Sequence, residues 1–192
     1  MSEPSLPRAP LSLEASARRI GQYCWVEMRA FEILGKWTAT VPEPAVKAAL
    51  ATHSRQHGWH AEVWHDLLPV ISETGVDSYI APASPALVPF VDALAAPEAT
   101  DLTIEKLGGA YRVLLPHTAV TYRDHLDHAS PISDGPTIRA LRLVLSDQLD
   151  HWHEGEALLQ AQLRSEADVD RAVSHQLQLE RLLVAAGGIA GR

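Results

Sequence analysis

Residues 44–67 read PAVKAALATHSRQHGWHAEVWHDL, and this stretch decides the fold. Steps of alternating fours and threes pick out Val46, Leu50, His53, His57, His60, Trp64 and Leu67 as one face, which is the period of an α-helix and not of a strand. Consecutive positions His53, His57 and His60 on that otherwise apolar face are histidine. Pro44 suits a first helical turn, where its missing N–H is not needed, and Pro69 stops the run.

On the N-terminal side, Pro42-Glu43-Pro44 ends a preceding helix, because proline disfavours helical geometry in the residue before it. That helix starts near Ser12 and has its seam at Leu13, Ala17, Ile20, Cys24, Glu27, Phe31, Leu34, Thr38 and Val41, with the Glu27 carboxylate near its middle. The connection is tight, so the first two helices are antiparallel neighbours. Residues 1–11, with their prolines, are expected to form a flexible tail, and 12–192 a single helical bundle domain.

On the C-terminal side, Pro69 to about Thr100 breaks into turn-forming residues around a short amphipathic piece, Ser84 to Ala95. A helix of ~27 residues is ~40 Å long, so ~30 residues of connection can carry the chain back to where the second helix began. The second and third helices would then run parallel. The third, roughly Asp101 to Ala129, has its seam at Ile104, Leu107, Tyr111, Leu114, Thr118, Tyr122, His125 and Ala129, with a bend expected at Pro116. Ser133-Asp134-Gly135-Pro136 opens a fourth helix whose best face is Ile138, Leu141, Leu145, Gln148, Trp152, Glu156, Leu159 and Leu163. Ser165 and Asp168 match a capping box for a fifth helix reaching about Ala186, expected on the outside or end of the bundle. The class is therefore all-α: a four-helix bundle with a long crossover between its second and third helices and an extra C-terminal helix.

A chain of 192 residues buries a core without help from disulfides, and Cys24, alone, forms none within the chain. The net charge of -8 offers no attraction for nucleic acid or an anionic membrane surface. Every apolar run falls short of the ~20 residues a membrane span needs. The opening MSEPSLPRAPLSLEAS lacks the apolar and basic regions of a signal peptide, so a cytoplasmic location is expected. There is no nucleophilic triad pattern, phosphate-binding glycine loop or Cys-x-x-Cys.

Antiparallel neighbours sit level at equal distance from their shared turn. By that count Glu27, His57, Thr118 and Gln148 fall in one layer, with His60 and Tyr122 a turn away on one side and His53, Tyr111 and Glu156 on the other. A core built only for stability would use Leu, Ile and Ala here, since each buried polar group left unpaired costs ~1 to 3 kcal/mol.

This helix order, with a mid-bundle Glu27 and an x-x-His motif in His57-Gly58-Trp59-His60, resembles the ferritin-like superfamily over roughly Leu13 to Leu163. That superfamily builds a two-metal site from one Glu on each of helices 1 and 3 and a Glu-x-x-His on each of helices 2 and 4. The resemblance implies that Glu27 corresponds to the first Glu and His60 to the first His. His57 stands where a glutamate belongs, and the third and fourth helices offer Thr118 or Tyr122 and Gln148. Asp150 and His153 have Asp-x-x-His spacing, but the helical phase turns Asp150 away from the seam and sets His153 at its edge, unless a π-bulge rotates them inward. His65, His128, His151, His153 and His175 read as flank or surface positions, and the tryptophans as packing.

Two readings follow. In the first, Glu27, His57 and His60 hold iron or another first-row transition metal, and the protein is an oxidase or hydroxylase of a small-molecule ligand with a mononuclear-like site. In the second no metal is bound: the bundle is a binding or oligomerisation module, and its buried His/Glu residues form a hydrogen-bond network; His53 is a third imidazole in the first reading or the partner of Glu156 in the second. Exposed apolar positions on the fifth helix make a homodimer an expectation in either case.

Overall fold

The computed structural model describes residues 11–70 and 75–191. The expected tail, 1–11, lies outside the described residues apart from Leu11. Among the described residues the regular structure is helical: α1 (Leu13–Trp37), α2 (Pro44–Asp66), α3 (Leu87–Ala95), α4, α5 (Gly135–Gln162) and α6 (Glu166–Ala185), with a short 3-10 turn at Val76–Tyr79. Helix α4 is continuous over 103–128 and comprises Thr103–Gly108, a π-helical stretch Gly109–Leu114, and Leu115–His128. None of these helices is long and apolar enough to cross a membrane.

Local chemistry sets the ends. The Ser12 hydroxyl accepts from the Ala15 amide at the start of α1, and Pro44 and Pro136 sit in the first turns of α2 and α5. Ser165 and Asp168 form the expected capping box on α6. A π-helical stretch lies just before Pro116, where proline cannot donate into the helical ladder.

Side-chain contacts give the direction of each long helix. Thr103 donates to Glu43 at 2.9 Å and Lys106 to Thr40 at 2.9 Å, so α4 begins beside the α1–α2 turn and runs parallel to α2. At the opposite end Tyr23 of α1 meets His125 of α4 at 3.0 Å. Contacts of α2 with α5 fall in numbering on one helix as they rise on the other, His60 with Asp147 and His53 with Glu154, so these two are antiparallel. The crossover lies against α1 at Gly21, where a Cβ would come 2.0 Å from the Tyr79 carbonyl oxygen; only glycine permits that approach. Helix α6 packs on α3 and the first half of α4, leaving Val169, Val173, Leu177 and Val184 exposed.

The apolar core comes in two parts. One, at the α1–α2 turn, holds Leu34, Trp37, Leu50, Phe90, Leu107, Leu114 and Leu159. The other holds Ile20, Tyr23, Trp64, Tyr122, Leu141, Val144 and Leu145. Glu27, His53, His57, His60, Thr118, Gln148 and His151 are all buried.

Several seam positions differ from expectation, each by a single step of three in place of four. On α1 the buried face passes from Glu27 through Ala30 to Leu34, which leaves Phe31 exposed; Leu13 is exposed as well. On α5 it passes from Gln148 through His151 and Gly155 to Leu159, so Trp152 turns outward and Glu156 lies at the edge of the core. His151, expected on the surface, is buried.

Candidate metal centre

Helix α1 brings Glu27 into the middle of the bundle and α2 brings His57 and His60, one turn apart on the facing side. The three residues are buried and offer ligand atoms that all lie within 4.8 Å of one another. His57 Nδ1 donates to Glu27 Oε2 at 2.5 Å, while His60 Nδ1 stands 3.5 Å from the same oxygen, within ion-pair reach but outside hydrogen-bonding geometry. The other carboxylate oxygen, Oε1, accepts from the Tyr122 hydroxyl at 2.5 Å and from the Gln148 amide at 3.0 Å. Residues from α1, α2, α4 and α5 thus meet on one carboxylate.

Thr118, expected level with Glu27, is buried but donates back to the Leu114 carbonyl of its own helix at 2.8 Å. Tyr122 reaches the carboxylate instead, because its longer side chain spans the turn that separates it from that level. His53 is bonded on both nitrogens, to Tyr111 at 2.7 Å and to Glu154 at 3.2 Å. Glu156 is not its partner: that carboxylate takes a two-pronged contact from Arg112 at 2.8 and 3.0 Å. Asp150 and His153 are exposed, so the Asp-x-x-His pattern plays no part in the core.

His151 joins the cluster from α5. Its ring stacks on His53 with centroids 4.1 Å apart, and its Nε2 bonds to Gln56. The residue sequence reasoning passed over has a signal: Gln148-x-x-His151 repeats the i, i+3 spacing of His57-x-x-His60. Asp147 is a second such residue, half-buried and 3.0 Å from His60 Nε2. Gly155 lies one turn beyond His151 because the Tyr111 ring occupies the space a side chain would need; a Cβ there would sit 2.1 Å from that ring.

The electrostatics are set by burial and by these pairings. Burial alone would push the Glu27 carboxyl up, but His57 and His60 beside it more than reverse that, and the group lies far below the ordinary carboxylate range. Burial lowers His60, whereas Glu27 and Asp147 together hold it above the ordinary imidazole range. His151 is held down, to about 2, by burial first and then by His53, His57 and His60, so it is neutral. Burial and the Glu27 charge keep the Tyr122 hydroxyl protonated and hence a donor.

His57 Nε2, His60 Nδ1 and His151 Nδ1 are buried and find no hydrogen-bond partner among the described residues. Buried polar atoms are paired as a rule, and each one that is not costs ~1 to 3 kcal/mol. Lone pairs on imidazole nitrogens beside a carboxylate form the donor set that first-row transition metals take, so the residues fit an ion. A groove of about 860 Å³ lies elsewhere, along the outer side of α1 and α2 between Met28, Phe31, Gly58 and Trp59, and shares none of these cluster residues. Comparison with family models, with curated proteins and with solved structures finds no match to this chain.

Proposed function

We propose that this chain is a ferritin-like metalloprotein that holds one ion of iron or another first-row transition metal at the Glu27–His57–His60 cluster and acts as an oxidase or hydroxylase on a small molecule. The observation that carries this reading is the convergence of those three residues within 4.8 Å in the bundle core, with imidazole nitrogens left unpartnered beside them. The helix order supports the ferritin-like frame: an antiparallel α1–α2 pair, a crossover that sets α4 parallel to α2, and an antiparallel partner in α5.

A bound ion would supply Lewis-acid or one-electron chemistry at the centre of the bundle. The chain's own residues prepare the place. Tyr122 and Gln148 fix Glu27 from one side and His57 from the other, so the carboxylate is ionised and oriented. Asp147 holds a proton on His60 Nε2, so an ion that displaces the second proton would find the Nδ1 lone pair on the side of the cluster, as carboxylate partners provide for metal-bound histidines. Tyr23, Trp64 and Leu145 close the layer on one side and exclude water.

A second reading, a metal-free binding or oligomerisation module, is favoured by the saturation of Glu27, which already accepts from His57, Tyr122 and Gln148. Metal analysis of the purified chain after anaerobic loading with Fe2+ and, separately, Zn2+ decides between them. The expected result is about one ion per chain, lost in His57→Ala and His60→Ala. Absence of stoichiometric metal in the wild-type chain under both loadings would leave only the network reading. Oxygen uptake by the Fe2+-loaded chain, absent from His60→Ala, tests the redox assignment.

A further inference from the structure

The imidazoles of His57, His60 and His151 form a nearly equilateral triangle, with ring centroids 5.9, 5.7 and 6.3 Å apart. Each ring has the same division of labour. One nitrogen is tied to an oxygen: His57 Nδ1 to Glu27, His60 Nε2 to Asp147, His151 Nε2 to Gln56. The other nitrogen is buried and makes no hydrogen bond, though His60 Nδ1 lies 3.5 Å from Glu27 Oε2. A histidine that binds metal shows this pattern, because the outer hydrogen bond fixes the tautomer and leaves the lone pair for the ion.

We propose that the ion is held by His57 Nε2, His60 Nδ1 and His151 Nδ1, with Glu27, Asp147 and Gln56 as outer acceptors. This rests on the metal-site reading above and changes its ligand set: His151 enters, and Glu27 moves from ligand to the partner that orients His57. A divalent cation can take all three nitrogens at once if it displaces the second proton of His60. With metal–nitrogen bonds of ~2.0 to 2.1 Å, three imidazoles on one tetrahedral ion have centroids roughly 5 to 5.5 Å apart, so the triangle closes by roughly 0.2 to 1.3 Å on binding, and His151, which is not among the residues grouped within 4.8 Å, turns its ring to join His57 and His60.

The surrounding contacts agree with this division. Both Glu27 oxygens are engaged, and the 2.5 Å separation of His57 Nδ1 from Glu27 Oε2 is that of a hydrogen bond, shorter than two ligands of one ion allow. His53, bonded at both nitrogens, acts as a platform on which His151 is stacked. Three neutral imidazoles with no direct thiolate or carboxylate suit Zn2+, Co2+, Ni2+ or Cu2+ better than Mg2+, Ca2+ or Mn2+, and leave a fourth position open to water or substrate.

The test uses the full chain with Co2+ and Zn2+ as probes. Wild-type protein is expected to bind one Co2+ with the intense visible absorption of a four-coordinate ion. His151→Ala should lose about 100-fold or more in affinity along with that spectrum, while Glu27→Gln, an outer-partner change, should keep the spectrum and lose about 10-fold. Imidazole 15N shifts of the wild-type chain on Zn2+ addition provide a readout that does not depend on a variant folding. Metal-induced shifts at His57 Nε2, His60 Nδ1 and His151 Nδ1 are expected. If Zn2+ binds and His151 Nδ1 does not shift, or if Glu27→Gln abolishes binding while His151→Ala binds as wild type, the three-imidazole set is wrong and the Glu27 site stands. If the wild-type chain binds no metal, both readings fall together.

Discussion

At the scale of single residues, burial is the largest influence on His125, with the Arg19 charge adding to it. His125, 7% exposed and bonded to Tyr23, is pushed by burial from an ordinary 6.5 down to about 4. The unfolded chain therefore binds a proton near pH 6.5 that the folded chain refuses until about pH 4. In that window the unfolded state holds more protons, so stability falls as pH falls, by about 1.4 kcal/mol per unit and about 3 kcal/mol in all. Urea denaturation of wild type and His125→Gln between pH 7 and 4 checks this: the variant's stability should decline less steeply over the same range, and equal slopes would show that His125 takes its proton in the folded protein. The same scale explains why His57 and His60 were legible in the sequence while the role of Tyr122 was not. A helical step places a Cα, and the length of the side chain then decides which level its hydroxyl reaches.

Among the elements, helix ends were the most legible features, because the groups that cap them lie within three or four residues of one another. Pro44, Pro136 and the Ser165–Asp168 box act through contacts that exist before any packing. Ser165→Ala should cost about 1 kcal/mol, and hydrogen exchange should show the loss in the first turn of α6 with α1 and α2 unaffected. Helix faces were less legible. A period of 3.6 residues permits a step of three or of four at every turn, and the choice at Phe31 and at Gln148 was made by the neighbouring helices. One such step separates Trp152 from His151, and with it a packing residue from a candidate ligand. The π-helical stretch in α4 likewise follows from Pro116 for its location, whereas its accommodation depends on α5 and α6, which pack against that part of the helix.

Across the whole molecule, a polar cluster is set among two apolar cores, and its unpaired nitrogens detract from stability unless something binds them. His151→Leu, which replaces a ring of similar volume and strands the half-buried Gln56, should raise the urea midpoint of metal-free protein, with about 1 kcal/mol of added stability, while weakening metal binding. A lower midpoint in chelator would show that the imidazole is held for the network and not for an ion. The sequence by itself determined that the chain is helical, where its helices begin and end, and that His53, His57 and His60 share a face with Glu27 opposite, because spacing along one helix is a local property. Only the tertiary structure decided that His151 belongs with them, that Glu154 and not Glu156 meets His53, and that Tyr122 rather than Thr118 reaches Glu27. The first two choices depend on the rotation of each helix about its own axis, which is settled by the side chains of the helices packed against it, and the third on how far a side chain reaches along the bundle.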